Sequence, residues 1–411
     1  MYKRHIMPSL LAALADTPVV FLNGARQTGK STLVQEINHK EHPARYLSFD
    51  DPTILMAAKN DPVNFINHLN GPVVLDEIQK AIELFPVIKL SVDKNRQAGR
   101  FLLTGSANVL LLPSLSESLA GRMEVLTLFP LSQGEIYHQQ EQFIDYVFEK
   151  QFHFSSPLSH ENRTSLIKRI LAGGYPEALM RIGTRRKAWF DAYITTILQR
   201  DIRDLSNIEG LINLPNLLKL LTTRISGLLN LSEVSRSVRI PHTTLKRYFS
   251  LLETTFLCIT LPAWSNNLGN RLVKSPKIFL NDTGLATALL GLNEERYVED
   301  GLLFGRLLEN FVVVELQKQR TWSKIQPYLY HFRTAKGQEV DLILEDASGR
   351  CVGIEVKASA TLFTADMAGL ATFAELAGKR FHRGIVLYTG KEIVPLGKNI
   401  FAMPIAKIFE E

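Results

Sequence analysis

The stretch Val19–Leu33, VVFLNGARQTGKSTL, decides how the rest of the chain is read. Val19–Leu22 form a short apolar run behind Pro18, which reads as a buried strand. Gly24, Gly29, Lys30 and Ser31 then fill the pattern G-x-x-x-x-G-K-[ST]. The spacing has a physical cause. Glycines let the backbone wrap a phosphate, so that successive N–H groups and a helix N-terminus point at the anion. A helix is predicted from Ser31 to about Asn38. The nucleotide cradle is then Gly24, Ala25, Arg26, Gln27, Thr28, Gly29, Lys30, Ser31 and Thr32. Lys30 is expected to reach the β- and γ-phosphates of ATP, and the Ser31 hydroxyl to ligate Mg2+.

Downstream, GPVVLDEIQK holds an apolar strand, Val73–Leu75, ending in Asp76 and Glu77. This is a Walker B arrangement. Asp76 is expected to hold Mg2+, and Glu77 to orient or deprotonate the attacking water. YLSFDDP (Tyr46–Pro52) reads as another strand ending in two aspartates, and GRFLLTGSAN as a third, Phe101–Leu103. SESLAGRMEVLTL adds a short helix, Arg122 and a further strand. Alternating strands and helices imply a largely parallel α/β sheet covered on both faces, with ligands beyond the carboxyl ends of the strands. A polar side chain leaving the Phe101–Leu103 strand falls between the phosphate loop and Asp76. Thr104 is the first choice there, with Ser106 and Asn108 as rivals. Arg122 reads either as an arginine finger acting in trans on the phosphoryl group or as a structural ion-pair partner.

At 411 residues the chain is too long for one ordinary core. The 45% apolar and 21% charged fractions are those of a folded protein. No apolar run approaches the ~20 residues that span a bilayer. Lys3 and Arg4 precede a short apolar stretch that Asp16 interrupts, which reads as a leading amphipathic helix. Cys258 and Cys351 are far apart in apolar contexts, which fits a reducing cytoplasm and excludes a cysteine zinc cluster. A net charge of +6 permits nucleic-acid binding without demanding it. Four segments are expected: a core over 1–137, a linker and helical lid over 138–222, a helix-turn-helix unit over 223–290, and a C-terminal α/β domain over 300–411.

The polar stretch 138–165 suggests a loop, and 166–221 has helical periodicity. Arg200 there is either a second nucleotide sensor or part of a solvated helix face. In NLSEVSRSVRIPHTTLKRYFSLLE, Asn230 caps a first helix and Ile240-Pro241 breaks it. The second helix sets Leu245, Tyr248, Phe249 and Leu252 on one stripe, opposite His242, Thr243, Lys246, Arg247 and Ser250. This predicts a winged helix-turn-helix, with TFLCITL and NNLGNRLVKSPKIFL as a wing carrying Arg271, Lys274 and Lys277. It serves either DNA contact or packing.

The C-terminal segment carries the hairpin EVDLILEDASGRCVGIEVKAS, Glu339–Ser359. Period-two alternation puts Val340, Leu342 and Leu344 on one face and Asp341 on the other. Val352, Ile354 and Val356 share a face, and Glu355 and Lys357 emerge together opposite it. A register centred on Ser348 sets Asp341 across from Glu355. Two carboxylates so placed repel one another unless a cation lies between them. A polar break near Glu294–Asp300 and a helix over about Gly305–Lys318 precede this hairpin.

FLNGARQTGKSTL, YLSFDDP, VVLDEIQK, FLLTGSAN, SESLAGRMEVLTLFPLSQGE and GGYPEAL resemble a prokaryotic AAA-type ATPase family. Its members carry a C-terminal domain of unknown function with a restriction-endonuclease-like fold. The resemblance places Thr104 at the γ-phosphate sensor position. The Asp341…Glu355-x-Lys357 set resembles the PD-(D/E)xK nuclease superfamily, with Val340 in place of the motif proline. It implies Mg2+ on Asp341 and Glu355 and an attacking water activated by Lys357. A helix glutamate joins them. Glu309 and Glu315 lie about 120° apart on a helix, so they cannot both face the site, and Glu309 matches the helix-start position. The expected protein is a Mg2+-dependent ATPase coupled to DNA, working without a membrane, alone or with a second copy or a protein partner. The alternatives are a nucleotide-dependent scaffold with an inactive nuclease-like domain, or a motor that remodels DNA junctions without cutting.

Overall fold

The computed structural model describes residues 2–106, 119–150, 161–202, 213–292 and 294–409. The first sheet contains β1 (Val19–Asn23), β2 (Arg45–Ser48), β3 (Val73–Asp76), β4 (Phe101–Gly105) and β5 (Met123–Thr127). Their order is β2-β3-β4-β1-β5, and every neighbouring pair is parallel. β1 and β4 are buried at every position because helices cover both faces. Alternate residues serve opposite cores. Val19, Phe21, Leu75 and Leu103 pack with Phe85 and Ile88. Val20, Leu22, Val74 and Leu102 pack with Leu10, Leu33 and Val34. The helix Met7–Asp16 supplies Leu10, and the helix that follows the phosphate loop, Lys30–Lys40, supplies Leu33 and Val34.

The stretch expected to be a loop after this sheet contains the helix Phe143–Val147, with Phe143, Ile144 and Val147 buried. Helices Arg163–Ala172, Gly183–Thr196 and Leu214–Thr223 follow. The Gly183–Thr196 helix runs into a wide π-helical turn, Ile197–Asp201. Asn230 caps Leu231–Val238 by accepting from the Glu233 N–H, and His242–Thr254 forms the second helix of the pair. β6 (Cys258–Leu261) pairs antiparallel with β7 (Lys277–Leu280). The connection between them is no simple wing. It holds a helix, Leu268–Val273, and the Trp264 N–H donates to the His331 carbonyl at 2.6 Å, docking the connection on the C-terminal domain.

The expected polar break is instead a short helix, Glu294–Glu299, ahead of Gly301–Gln319. The second sheet contains β8 (Tyr328–Arg333), β9 (Glu339–Glu345), β10 (Cys351–Lys357), β11 (Phe381–Tyr388), β12 (Val394–Gly397) and β13 (Ile400–Pro404), in the order β12-β13-β11-β10-β9-β8. β9 and β10 pair from Glu345↔Cys351 to Leu342↔Ile354, a register centred on Ser348. The Asp346 side chain holds that turn by accepting from the Ser348 and Arg350 N–H groups at 3.0 and 2.8 Å. One expectation fails within β9. Val340 packs against Leu370 and Phe373, whereas Leu342 and Leu344 face the core that contains Leu307 and Phe311. The β8–β9 register slips between Tyr330 and Phe332, so β9 bulges at Asp341 and Leu342 and the alternation switches face there.

One apolar cluster runs from Phe190 and Ile194 through Leu245, Leu252 and Phe279 to Leu307, Leu342 and Val352. The middle and C-terminal parts therefore share a core. Cys258 and Cys351 are buried and unlinked. Among the described residues, no helix is long and apolar enough to cross a membrane.

Candidate functional sites

β1 delivers the phosphate loop to the carboxyl end of the first sheet. Gly24 has φ 151°, and a Cβ on it would meet the Leu128 carbonyl oxygen at 2.2 Å, so a side chain is excluded there. The loop is closed from within by Thr28, whose hydroxyl donates to the Ala25 carbonyl at 3.0 Å. The Lys30 ammonium donates to the Gly24 and Ala25 carbonyls at 3.0 and 2.9 Å. Ser31 Oγ lies 3.1 and 3.0 Å from the two oxygens of Asp76. Tyr46 donates to Asp76 at 2.6 Å, and Thr104 donates to its other oxygen. Burial, reinforced by Asp76, raises the Tyr46 phenol above its usual range. Glu77 has a left-handed φ of 60°; its N–H donates to Thr104 Oγ1 at 3.1 Å and its carboxylate accepts from Gln79.

Thr104 is thus turned to the Asp76 carboxylate and the Glu77 backbone, and it is fully buried. It clamps the Walker B turn through these two contacts. Ser106 is bonded to Gln79 at 3.0 Å, and Asn108 lies outside the described residues. Arg122 reaches Asp93 on the helix Leu84–Lys94, with Nη2 at 3.1 Å, and the Ala120 carbonyl at 3.0 Å. The Arg122 guanidinium holds the Asp93 carboxyl below its usual range. In this arrangement Arg122 is an intramolecular ion-pair partner. Arg122→Ala should leave ATP hydrolysis within about twofold of wild type, as expected for a surface pair. A finger in trans would instead show a fall of about 10³ or more in a steady-state assay. The side chains of Arg200 and Asp201 lie outside the described residues.

A cavity of about 400 Å3 opens over the loop, bounded by Gln27, Lys30, Thr32 and Glu77 below and by Trp189 and Tyr193 above. The two aromatics lie one turn apart on the Gly183–Thr196 helix and stack with ring centres 5.2 Å apart. Tyr193 also donates to the Arg26 carbonyl at 3.3 Å. The i, i+4 aromatic spacing was visible in the sequence, but it equally describes a core stripe. Titration with ATP should change tryptophan emission, and Trp189→Phe, which keeps Trp264 and Trp322, should abolish that change. Trp189→Ala should weaken nucleotide binding roughly three- to tenfold.

On the helix His242–Thr254, His242, Thr243, Lys246 and Arg247 are exposed, as is Lys274 in the β6–β7 connection. Arg271 is not available for DNA. It is buried, donates to Glu345 at 2.9 Å and to the Ser265 carbonyl at 2.7 Å, and lies over the Tyr330 ring. The docked β6–β7 connection turns it inward.

The C-terminal acid set converges on a lysine. Lys277, at the start of β7, puts its ammonium 2.7 Å from Glu309 and 3.2 Å from Asp341, and pairs also with Glu339. Its side chain is 1% exposed, so it cannot serve the DNA-facing wing expected for it. Asp341 accepts from the Val356 N–H at 2.9 Å, which fixes it beside the end of β10. Lys357 pairs with Glu355 at 3.0 Å and lies 3.6 Å from Asp366. Burial, then the Asp341 charge, pushes the Glu355 carboxyl up to about 8; the same two causes raise Glu309 well above its usual range. For Lys277, burial alone would lower the pKa, but Glu309, Asp341 and Glu339 outweigh it and the net direction is upward. Glu315 faces elsewhere, pairing with Lys318 at 2.6 Å and accepting from the Gln133 N–H at 2.8 Å. Asp341, Glu355, Lys357 and Glu309 are therefore neighbours. Even so, among the described residues no group of three or more His, Cys, Asp or Glu side chains is arranged to hold a metal ion. The metal expected on Asp341, Glu355 and Glu309 does not fit this arrangement, because an ammonium stands between the donors.

Residues 16–137 match the model of an AAA domain. Residues 163–296 and 304–408 match two domains of unknown function, DUF8612 and DUF4143. The uncharacterized protein Rv2008c of Mycobacterium tuberculosis is 31% identical over 99% of this chain and 84% of its own length. The uncharacterized protein Mb2031c of Mycobacterium bovis matches with the same identity and coverage. The chain belongs to the family of these uncharacterized mycobacterial proteins. Its N-terminal part is an AAA-type P-loop ATPase domain. Among solved structures, the Thermotoga maritima RuvB Holliday junction branch migration motor is 18% identical over 62% of this chain and 87% of that one. Its TM-score is 0.29, too low to carry an argument.

Proposed function

We propose that this family member is a cytoplasmic, Mg2+-dependent ATPase that couples nucleotide turnover to DNA through its helix-turn-helix. The observation that carries the nucleotide reading is the Ser31–Asp76 contact beneath the phosphate loop, at the floor of the cavity. The donor set suits a hard cation: a hydroxyl and a carboxylate, the latter held rigid by Tyr46 and Thr104. Bound Mg2+ would supply charge neutralisation to the phosphate oxygens. The protein's own groups do the rest. Backbone N–H groups of the loop cradle the phosphates, and Lys30 exchanges its two loop carbonyls for phosphate oxygens. Glu77, held by its left-handed backbone and by Gln79, orients the attacking water. Helix Gly183–Thr196 closes the cavity and keeps water out. Phosphate release by wild type and Lys30→Ala protein tests this reading.

The DNA half rests on the exposed row His242, Thr243, Lys246 and Arg247 on the second helix of the pair. Lysines and arginines on DNA phosphates release counterions, which sets the salt dependence of binding. Lys246→Ala/Arg247→Ala should reduce the slope of log K against log salt by about two, read from duplex-DNA titrations. An unchanged slope would remove this helix from the interface.

A second reading, a nucleotide-dependent scaffold with an inactive nuclease-like domain, is favoured by the Lys277 contacts within the acid set.

A further inference from the structure

We infer that Arg4 is a positioning residue of the phosphate loop, which turns the Gly29 N–H toward a bound phosphate. This role rests on the nucleotide reading above, and it falls to a residue outside the loop's own sequence pattern. Arg4 lies ahead of the helix Met7–Asp16, is 7% exposed, and spends every nitrogen of its guanidinium. Nε donates to Glu135 at 3.0 Å, Nη1 to the Thr28 carbonyl at 2.6 Å and Nη2 to the Phe129 carbonyl at 2.7 Å. Glu135 is fixed in turn. The same oxygen accepts from the His5 N–H at 2.8 Å, and the other accepts from the Ser132 N–H at 3.0 Å, completing a capping box on the helix Gln133–Tyr137. The guanidinium is thereby held as a rigid fork on two carbonyls, 24 and 125 residues away.

The contact with Thr28 decides which way a loop N–H points. Among the described residues every peptide bond is trans, and a trans peptide directs its N–H opposite to its carbonyl. With the Thr28 carbonyl drawn back onto Arg4, the Gly29 N–H is aimed the other way, and Gly29 lines the nucleotide cavity. Gly29 caps the helix Lys30–Lys40 with a left-handed φ of 95°. Its N–H therefore leads the row of free donors at that helix N-terminus. A carbonyl that accepts from a cation also polarises its own peptide, which makes the N–H at the other end a stronger donor. The contact with Phe129 braces the opposite end of the loop. Phe129 follows Leu128, whose N–H donates to the Asn23 carbonyl at 2.8 Å and whose carbonyl oxygen occupies the place of a Gly24 side chain. Arg4 thus ties the end of the loop, at Thr28, to the segment packed against its first glycine. A lysine cannot do the same, because an ammonium on a flexible stem lacks the planar fork that reaches both carbonyls and Glu135 together.

Steady-state turnover of MgATP by the full chain, with inorganic tripolyphosphate as competitor, tests it. Arg4→Met keeps the stem and removes the fork. KM for MgATP and Ki for tripolyphosphate should rise in step by at least about tenfold, the size of one lost N–H bond to a charged phosphate. A purely structural role gives a different result. A misfolded fraction lowers the apparent kcat and leaves KM and Ki where they were. That result, or wild-type constants throughout, overturns the inference. Should Arg4→Met not fold, Arg4→Lys, which keeps a charge beside Glu135, should raise both constants at least about threefold. Wild-type constants in Arg4→Lys overturn the inference equally. Failure of the nucleotide reading looks different, since wild type itself would then show no turnover. Calorimetric titration with tripolyphosphate decides in that case: binding about tenfold weaker in Arg4→Met supports the role of Arg4, and equal binding, or none in wild type, removes it.

Discussion

ATP hydrolysis by Lys30→Ala protein is expected to fall at least about 100-fold, with nucleotide affinity weakened in parallel. In the structure, Lys30 is held by the Gly24 and Ala25 carbonyls, two neutral acceptors it can leave without stranding a charge. Bound phosphate offers it negatively charged oxygens instead, and charge-assisted bonds are roughly twice as strong as neutral ones. The charge is most needed as the phosphoryl group leaves, because catalysis of this class is mostly positioning and electrostatic stabilisation. Removing one such donor from an enclosed site typically costs about 10²–10³ in rate. The fold should survive, since the loop keeps its Thr28–Ala25 closure and the Leu33 and Val34 packing. Phosphate release at saturating MgATP is the measurement, and a Lys30→Ala rate equal to wild type would sink the nucleotide assignment.

Lys277→Ala is expected to be among the most destabilising single changes in the chain. It would leave Glu309, Glu339 and Asp341 close together and largely buried, without the ammonium they share. Breaking a buried ionic set by removing one partner costs about 3–5 kcal/mol, because an uncompensated buried charge remains. Urea unfolding at neutral pH, in a metal chelator, should show a midpoint shift of that size. Asp341→Asn in the same background should recover part of the loss by relieving the repulsion. If Lys277→Ala unfolds at the wild-type midpoint, Lys277 is an ordinary surface-like lysine and the cluster is stabilised some other way.

Several site features were legible in the chain itself. The phosphate loop follows an apolar strand because its glycines and Lys30 stand in a fixed local pattern, and the structure puts that loop at the end of β1. The hairpin register could be read from the turn at Asp346–Gly349, since turn length sets which residues face one another. The Asn230 cap was legible for the same local reason. Other features were not. Arg271 and Lys277 were placed on a wing that serves either DNA contact or packing. Their carboxylate partners Glu345 and Asp341 lie 74 and 64 residues away, and no local pattern links them. Val340 was placed with Leu342 by simple alternation, and the bulge opposite His331 broke that alternation. Trp189 and Tyr193 were not singled out, because only the placement of the Gly183–Thr196 helix over the phosphate loop gives them a site role.

By itself, the sequence determined the elements whose geometry is local: the phosphate loop, the buried parallel strands, the helix caps and the β9–β10 register from Glu345↔Cys351 to Leu342↔Ile354. Each follows from backbone conformation and side-chain period over a few residues, where sterics leave few options. Tertiary structure alone decided that Lys277 stands among the carboxylates, and which neighbours Thr104 and Arg122 touch. Those outcomes depend on distance and burial, because a charge interaction is worth little in water and much when desolvated. Lys277 reaches Glu309, Glu339 and Asp341 because the β6–β7 segment docks on the C-terminal domain.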